Sequence, residues 1–422
     1  MKRTAGIRAA AWMTAAGVFI ASLSACGQGS SVGSTAAAGA SAAETSAAET
    51  STETSAAETS PESAVREGAA ASAAEKGASG ETVTITDHAD RTVTVPADPE
   101  KAAFLDIYPL PSVLSVYLGS AESIAAMEPV SMKAAENGVL SELFPEILDA
   151  KTDFVNGSDV NIESLLALKP DIVYYTASNT AEQEMLENAG LNAVGISPTK
   201  WNFDCIRTYE EWTKLLDEIY PAHKAERDIS SKVTDRSTQI YDSIQEKTKD
   251  LTDDKKQKVL FLYQYDENTM VTSGKKFFGQ WWCDAVGAVN AASEVQAEKN
   301  NAVITMEQVY SWNPDVIVIT NFTKTTPQDL YDNAVGGDDW SSVKAVQDKR
   351  VYKMPLGTYR TYTPGVDTPM TLEWLAEKVY PDLFEDIDLK KDVTDYYETL
   401  YGVTLTDEQV EKMYNPAPEA GM

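Results

Sequence analysis

Two stretches of the chain share one pattern that decides its fold. The first copy is residues 161–174, NIESLLALKPDIVY, and the second is residues 305–318, TMEQVYSWNPDVIV. In each copy a glutamate is followed seven residues later by Pro-Asp and then by an apolar run rich in β-branched residues. Proline disfavours helix in the residue before it and cannot donate a helix hydrogen bond. Each copy therefore predicts a short helix, an abrupt end and then a strand.

The strands predicted in the two copies lack polar alternation, which is typical of parallel strands covered on both faces. Between the copies, residues 222–249 keep a helical spacing of apolar positions, and one helix of that length would be about 40 Å long. The pattern predicts two similar α/β lobes with parallel sheets, joined by this helix. Two shorter helices within one lobe are the alternative. Thr-rich segments at 82–86 and 92–96 predict a β-hairpin before the first lobe.

The N-terminus has the features of an export signal. Three basic residues precede a mostly apolar segment, residues 9–23, which is too short to span a bilayer. The segment runs into Leu-Ser-Ala-Cys, ending at Cys26, which resembles a lipobox. We therefore expect residues 1–25 to be a signal peptide and Cys26 to carry a lipid that anchors the protein to the cell membrane without spanning it. The alternative is an ordinary secretory signal with a chance cysteine.

Composition divides the remaining chain. Residues 26–80 are almost entirely Ser, Ala, Gly, Thr and Glu and predict a disordered tether. The formal net charge is −30, and removing the +3 of the signal and the −5 of the tether leaves −28 on the folded part. Such a charge argues against nucleic acid and against anionic lipid as partners of the protein surface. The predicted folded segments are the N-terminal lobe at 81–203, connecting helices at 204–250, and the C-terminal lobe with a helical tail at 251–422.

From the predicted hairpin to the helical tail near residue 413, the chain resembles the substrate-binding proteins of ABC importers for ferric siderophores, haem and cobalamin. The motifs that carry the resemblance are the lipobox, both copies of the repeated stretch, DRTVTVP at 90–96, KRVY at 349–352, PMTLEWLA at 369–376 and YP at 380–381. Each motif alone is weak, whereas their order over the whole domain is specific. The resemblance implies two Rossmann-like lobes joined by one long rigid helix, with the ligand held between them and no enzymatic activity.

In the family that the chain resembles, a glutamate on each lobe meets basic residues of the importer's membrane subunits. The resemblance places this role on Glu163 and Glu307, one in each copy of the repeated stretch. Two anions on opposite lobes can engage two arginines of a permease dimer and dock the cleft over its pore. The alternative is that each acid lies in the first turn of a helix only because the helix dipole favours it there.

Ligand-binding residues are expected in the loops that follow the carboxyl ends of the strands. These loops are rich in aromatic side chains, which suit a bulky chelate or macrocycle, and contain an arginine suited to anionic oxygens. The predicted ligand residues are Tyr108, Tyr175, Tyr265, Trp281, Phe322, Tyr359, Arg360 and Tyr362. The alternative for each aromatic residue is core packing. For Arg360 it is helix capping or pairing with a surface acid.

Motifs for other chemistries are missing from the sequence. His88 and His223 are the two histidines, whereas related proteins for bare zinc or manganese use several, so no metal site is predicted. No Gly-x-Ser-x-Gly motif supports a serine hydrolase. Cys205 and Cys283 are too few for a disulfide framework, and the sequence does not determine whether they pair.

Together these observations favour an extracytoplasmic lipoprotein that captures an iron(III) chelate and delivers it to the permease dimer of an ABC importer. We expect a monomer without a resident cofactor. Cobalamin or haem is the alternative ligand in the same role. A surface-anchored glycosidase is the alternative from another class, and it would need two carboxylates facing each other across the cleft.

Overall fold

A computed structural model of the chain describes residues 80–157, 159–295 and 301–422. The predicted signal peptide, Cys26 and the tether up to residue 79 lie outside the described residues. Within the described ranges, no helix is both long and apolar enough to cross a membrane. Cys205 and Cys283 are buried free thiols, so these two residues do not form a disulfide.

The N-terminal lobe opens with an antiparallel hairpin and continues with a four-stranded parallel sheet. Its strands are β1 (Thr82–Thr86), β2 (Thr92–Pro96), β3 (Ala102–Leu105), β4 (Ile124–Ala126), β5 (Val155–Asn156), β6 (Asp159–Val160), β7 (Ile172–Thr176) and β8 (Ala193–Ile196). Its helices are α1 (Leu110–Leu118), α2 (Pro129–Asn137), α3 (Leu140–Leu143), α4 (Ile162–Leu168) and α5 (Thr180–Asn188). The predicted hairpin is formed by β1 and β2, and the parallel sheet has the order β4-β3-β7-β8.

Three helices connect the lobes: α6 (Cys205–Ile219), α7 (Pro221–Arg227) and α8 (Ile229–Thr248). The single long helix predicted after Pro221 is interrupted, because Asp228 adopts a left-handed conformation with φ of 45°. The remaining long helix, α8, has 20 residues and is about 30 Å long. At its start the Ser230 hydroxyl donates to Asp217 of α6. Near its end Gln245 Nε2 donates to a carbonyl of the C-terminal lobe at 2.8 Å, so α8 joins the two lobes.

The C-terminal lobe is built on a six-stranded mixed sheet. Its strands are β9 (Lys258–Tyr265), β10 (Met270–Ser273), β11 (Val289–Asn290), β12 (Asn301–Val303), β13 (Val316–Ile319) and β14 (Val351–Lys353). Its helices are α9 (Phe278–Ala285), α10 (Met306–Trp312), α11 (Pro327–Tyr331), α12 (Lys344–Gln347), α13 (Thr368–Val379), α14 (Leu389–Tyr401) and α15 (Asp407–Tyr414). The sheet has the order β12-β10-β9-β13-β14, with β11 paired to β9.

This sheet departs from the parallel arrangement predicted for both lobes. β10 is antiparallel to β9 and to β12, while β11, β9, β13 and β14 are parallel. The chain reverses between β9 and β10 in a tight turn, where Asp266 Oδ1 accepts the backbone N–H groups of Asn268 and Thr269 at 2.8 and 3.0 Å. So short a connection permits antiparallel pairing, because parallel neighbours need a long crossover.

The repeated stretch folds in the same way in both lobes. α4 and α10 each end before a residue in the left-handed conformation, Lys169 with φ of 52° and Asn313 with φ of 43°. The aspartate of Pro-Asp then joins the unit to the neighbouring strand. Asp171 Oδ2 accepts at 2.9 Å the backbone N–H that precedes β3, and Asp315 Oδ2 accepts at 2.8 Å the first backbone N–H of β9. The predicted order of helix, stop and buried strand is confirmed in both copies.

A continuous hydrophobic core passes through both lobes. It includes Ile172 of β7, Trp212 of α6, Val233 of α8 and Leu375 of α13, all of which are fully buried. Packed interiors resist deformation, since side chains interdigitate with few voids. We therefore expect the lobes to close only slightly around a ligand.

Candidate functional site

Loops at the carboxyl ends of parallel strands from both lobes form a cleft. From the N-terminal lobe come Asp106 and Tyr108, which follow β3, and Glu128, which follows β4. From the C-terminal lobe come Phe322, after β13, and Tyr359, after β14. Burial raises the pKa of the Tyr359 phenol, the charge of Arg360 lowers it, and the negative charge of Glu128 from the opposite lobe raises it. Glu128 and Tyr359 thus lie near enough to interact electrostatically across the two edges.

Three carboxyl groups lie together on the N-terminal side, and we call Asp106, Glu128 and Glu182 the acidic wall. Glu128 Oε1 accepts the backbone N–H of Asp106 at 2.8 Å. The Asp106 carboxylate accepts the Tyr108 hydroxyl at 3.2 Å and the Asn179 side-chain amide at 3.3 Å. Asn179 caps α5 by accepting the backbone N–H of Glu182 at 3.2 Å, which brings Glu182 to the same edge. Glu128 and Glu182 are buried, with exposed fractions of 9% and 8%, whereas Asp106 is exposed.

Burial and mutual repulsion make both glutamates of the acidic wall weak acids. Burial raises the pKa of Glu128 to about 7, and the charge of Asp106 adds to the increase. Burial also raises the pKa of Glu182 to about 8, with further repulsion from Asp106 and Glu128. Glu182 Oε2 has no hydrogen-bond partner among the described residues. Near neutral pH the wall can therefore gain or lose protons when a ligand binds.

The C-terminal side of the cleft has a different composition, and we call Tyr263, Phe322, Tyr359 and Arg360 the aromatic wall. The rings of Tyr263 and Phe322 stack with their centroids 4.6 Å apart. The guanidinium carbon of Arg360 lies 4.7 Å from the ring centre of Phe322 and 5.5 Å from that of Tyr359. Arg360 is 7% exposed, and within the described part of the chain its Nε has no hydrogen-bond partner. A buried guanidinium with a free donor, stacked on rings, is suited to anionic oxygens.

A buried carboxylate holds the loop that carries Arg360. Asp367 Oδ2 accepts the backbone N–H of Thr358 at 2.8 Å and its hydroxyl at 2.9 Å. Gly357 has φ of 60°, and a Cβ atom at this position would lie 2.3 Å from the Asp367 carboxylate. The close approach and the left-handed backbone both require glycine here. This support fixes the backbone just before Tyr359 and Arg360.

Three of the predicted ligand residues, Phe322, Tyr359 and Arg360, lie against one another, and a fourth, Tyr108, follows β3 in the opposite lobe. The structure places the other four differently. Tyr175 is fully buried in a core cluster of the N-terminal lobe, and Tyr265 is buried in a separate cluster of the C-terminal lobe. Tyr362 is fully buried behind the aromatic wall, with its ring centre 5.7 Å from that of Tyr263. Trp281 is half-buried on α9.

The sequence analysis did not predict any residue of the acidic wall. Asp106 directly follows β3, and Glu128 follows β4 by two residues, so both stand at the strand ends where ligands bind. Their position after strands β3 and β4 was the sequence feature that could have identified Asp106 and Glu128 as candidate ligand residues. Glu182 lies in the first turn of α5, where acids are common because of the helix dipole, so its sequence position carried no comparable signal.

The cleft does not resemble a site for a bare metal ion. Among the described residues, no group of three or more His, Cys, Asp or Glu side chains could hold one. His88 lies in the hairpin turn, where its Nδ1 accepts the backbone N–H of Ser197 at 3.2 Å and burial lowers its pKa to about 4. Burial also lowers the pKa of His223, which lies on α7.

Glu163 and Glu307 occupy the first turns of α4 and α10, and both are exposed. Three residues later each helix exposes a large apolar side chain, Leu166 at 41% and Tyr310 at 42%. Residues three apart lie on one face of a helix. The pKa of Glu307 is lowered by its own backbone N–H and by the Thr305 hydroxyl, so this acid is charged at neutral pH. Both helices therefore present an acid and an apolar side chain in the same register.

Two cavities lie apart from the cleft walls. One of about 340 Å³ lies between β14, α13 and the segment after α15, and one of about 330 Å³ lies between α8 and α14. Neither is lined by a residue of the acidic or aromatic wall. The cleft is therefore defined by the polar and aromatic groups that converge there and not by the size of a cavity.

Comparison with known proteins settles the family. A sequence profile described as Periplasmic binding protein matches residues 113–356, which is more than half of the 422 residues. The chain belongs to the periplasmic binding protein family. This binding protein is 28% identical over 348 residues to the molybdate-binding protein MolA of Haemophilus influenzae, and the match covers 75% of this chain and 90% of MolA.

Two further relatives support the same assignment. The binding protein is 25% identical over 308 residues to YvrC of Bacillus subtilis, an uncharacterized ABC transporter substrate-binding lipoprotein, with 72% of this chain and 87% of YvrC covered. A solved periplasmic solute binding protein from Veillonella parvula matches with a TM-score of 0.70 and 27% identity, covering 80% of this chain and 98% of that chain.

These matches confirm the resemblance found in the sequence motifs and the two-lobed α/β fold. The protein is the extracytoplasmic solute-binding component of an ABC importer. Its family consists of binding proteins and not of enzymes, which removes the glycosidase alternative.

Proposed function

We propose that this binding protein captures an iron(III) chelate in the cleft and delivers it to the permease dimer of its importer. The observation that carries the proposal is Arg360, which is buried against aromatic rings and keeps an unbonded Nε. The oxygen donors of an iron chelate are anionic, and the organic scaffold around them offers apolar surface to stacked rings. Arg360 with Phe322 and Tyr359 supplies both kinds of contact.

Molybdate is a second candidate, favoured by the 28% identity to MolA. Arg360 can pair with such a dianion. The acidic wall opposes this ligand, because its buried glutamates already repel one another and would repel a small dianion in the same cleft. We therefore place an iron chelate first. Haem and cobalamin, which are also large metal complexes, are the alternatives within the same ligand class.

Delivery and anchoring complete the proposal. Glu163 and Glu307 would dock the two lobes onto basic residues of a two-fold permease, in line with their exposure in the same register. A lipid on Cys26 would hold the protein at the membrane, in line with the lipoprotein relative YvrC. The proposed segments are the signal peptide 1–25, the tether 26–80, the N-terminal lobe 81–203, the connecting helices 204–250 and the C-terminal lobe with its tail 251–422.

Quenching of tryptophan fluorescence in the purified protein tests the ligand class. The panel contains a ferric trihydroxamate, a ferric tris-catecholate, haem, cobalamin and molybdate. We expect saturable quenching by a ferric chelate and at least about tenfold weaker binding after Arg360→Gln, because a charge-assisted contact is lost. Arg207→Gln removes a half-exposed arginine that pairs with Glu211 on α6, and this control is expected to leave the affinity unchanged.

The panel also defines the outcomes that contradict the proposal. A saturable response to molybdate alone would replace the chelate by the second candidate. A response to none of the five ligands would refute both assignments. Circular dichroism of Arg360→Gln confirms that any loss of affinity comes from the cleft and not from unfolding.

A further inference from the structure

Two buried acids outside the cleft, Asp87 and Asp217, have basic partners, and a third, Asp367, is held by the backbone N–H and hydroxyl of Thr358 and the hydroxyl of Tyr397. Asp87, whose side chain is fully buried, lies 2.6 Å from the guanidinium of Arg91. Asp217, at 2% side-chain exposure, has Lys224 at 3.7 Å in addition to hydroxyl donors. Such pairing is the usual condition for burying a carboxylate, since an isolated buried charge is strongly unfavourable.

Among the described residues, no basic side chain pairs with the acidic wall. The ionisable side chain that acts on Glu128 is Asp106, and those that act on Glu182 are Asp106 and Glu128, all of them acids. Glu182 is more than nine-tenths buried, yet its Oε2 has no hydrogen-bond partner in the described ranges of the chain. The Asp106 carboxylate accepts the neutral donors of Tyr108 and Asn179, and it also forms side-chain hydrogen bonds with Glu128 and Glu182. The wall therefore contains a buried oxygen atom, Glu182 Oε2, that no described residue hydrogen-bonds, and loss of a proton from its glutamates leaves a negative charge there without a basic partner among the described residues.

The opposite side of the cleft has the complementary character. Arg360 supplies a buried guanidinium with an unbonded Nε. Burial raises the pKa of the phenol of Tyr359, next to Arg360, while the charge of Arg360 lowers this pKa and the smaller contribution of Glu128 from the opposite lobe raises it. A ligand that touches both walls thus meets acids at one end and a guanidinium at the other.

We propose that the acidic wall binds a cationic arm of the ligand, an ammonium or guanidinium group, while Arg360 binds the anionic oxygens of the chelate. This inference rests on the proposed function, because it specifies the charge of that same ligand. An ammonium group donates up to three hydrogen bonds and offsets the repulsion among the three carboxyl groups. A bare metal ion fits less well, because the described residues hold no cluster with suitable ligands.

The acidic wall would therefore determine which ligands bind, according to their charge. A chelate with several negative charges gains nothing from these acids and is repelled by them, as is a small oxyanion. A chelate with a cationic arm gains an ion pair in a site that is largely removed from water. The two walls together select among iron complexes by the sign of the charge at one end of the ligand.

Two iron complexes that differ by one charge test the inference. Ferric desferrioxamine B has a free ammonium group, and its N-acetyl derivative has the same trihydroxamate centre without that charge. At pH 8 the full chain is expected to bind the ammonium form about tenfold or more tightly than the acetylated form. Glu182→Gln and Glu128→Gln are each expected to lower this ratio below about threefold. Glu184→Gln, which removes an exposed acid of the same helix, is the matched control and keeps the ratio.

The outcomes of this experiment distinguish failure of the inference from failure of the proposed function. Equal affinity for the two complexes overturns the inference and leaves the proposed function intact. Tighter binding of a ferric tris-catecholate, which has three negative charges, than of both hydroxamates also overturns it. A preference for the ammonium form that survives both glutamine variants overturns the assignment to the acidic wall. Absence of binding of every iron complex refutes the proposed function itself.

Discussion

The repeated stretch gives the two lobes matching units, whereas the loops that line the cleft differ in chemistry from one lobe to the other. In both copies an acid lies in the first turn, a large apolar side chain is exposed three residues later, and a left-handed residue precedes Pro-Asp. At the cleft, the N-terminal lobe presents three carboxyl groups and the C-terminal lobe presents an arginine among aromatic rings.

This difference distinguishes the requirements of folding and docking from the requirements of ligand recognition. Each lobe must end a helix, start a buried strand and, in our proposal, meet one half of a symmetric permease, and these demands are the same on both sides. The proposed iron chelate need not share this symmetry, so the two walls that we propose contact it need not be alike. Features shared by the lobes are therefore expected to serve folding and docking, and features that differ are expected to serve recognition.

Removing the acids shared by both lobes is expected to have the largest effect. Combining Glu163→Ala with Glu307→Ala should lower iron uptake by cells about a hundredfold or more, because charge pairs at both halves of the permease contact are lost. Ligand affinity should remain unchanged, since neither residue belongs to the acidic or aromatic wall. Uptake of labelled iron chelate and fluorescence titration measure the two quantities.

The single variants sharpen this comparison between the lobes. If the two copies dock alike, Glu163→Ala and Glu307→Ala should each lower uptake by a similar factor of about ten. A protein with Glu184→Ala and Glu385→Ala loses two other exposed acids and serves as the control. Uptake above half of the wild-type level in the double Glu163/Glu307 variant would rule out docking through these acids.

The aspartates of the two Pro-Asp pairs test whether the repeated units are equivalent in stability. Asp171→Ala leaves two backbone N–H groups before β3 without their acceptor, and Asp315→Ala removes the acceptor of the Lys258 N–H and the ion-pair partner of Lys344. Each change should lower the free energy of unfolding by about 1–3 kcal/mol. Urea denaturation measures it, with exposed Asp149→Ala as control. A difference above about 2 kcal/mol between the two would show that the units are not equivalent.

The substitution Glu182→Gln in the acidic wall is expected to have a smaller effect, a change in how the stability of the protein depends on pH. Burial raises the pKa of Glu182 from 4.5 to about 8, so the folded state binds this proton more tightly than the unfolded state. Wild-type stability should therefore fall as the pH rises from 4.5 to about 8, a loss that glutamine avoids because it does not titrate. Asp106, Glu128 and Tyr108 face the same site, and they are present in both proteins.

Denaturation of Glu182→Gln and the wild type at two pH values measures this effect. The advantage of the variant in free energy of unfolding should be about 1–2 kcal/mol larger at pH 8.5 than at pH 5. Glu184→Gln, on the exposed side of α5, should show no such change with pH. An advantage that is independent of pH would mean that Glu182 is not held as a weak acid by the wall.

Much of the scaffold follows from local rules, and its departures have identifiable causes. The hairpin and both helix–Pro-Asp–strand units follow from turn residues, proline and buried apolar runs. The break between α7 and α8 does not, because the apolar spacing continues across Asp228 while one left-handed residue redirects the backbone. The antiparallel direction of β10 was not predicted either, because a short strand has the same residue types whether it pairs parallel or antiparallel.

Some residues of the candidate site could likewise be predicted from the sequence, and others could not. Phe322, Tyr359 and Arg360 could be named from the sequence because they lie in loops after buried strands, where open α/β sheets bind ligands. Tyr175 and Tyr265 satisfy the same rule of position, but both are in strands and their side chains are buried in core clusters. Side chains alternate between the faces of a strand, so a strand residue can point into the core and not toward its loop.

The sequence by itself determined the two lobes and their common unit, because proline, helix periodicity and apolar runs act over a few residues. The order of its motifs carried the resemblance to the family. The sequence also placed Arg360 in a loop after a buried strand, where we expect ligand contacts. Only the tertiary structure decided that Asp106, Glu128 and Glu182 share one wall. These acids are separated by 22 residues or more along the chain. Their burial, and the pKa increase that follows from it, comes from packing between segments that no local pattern connects.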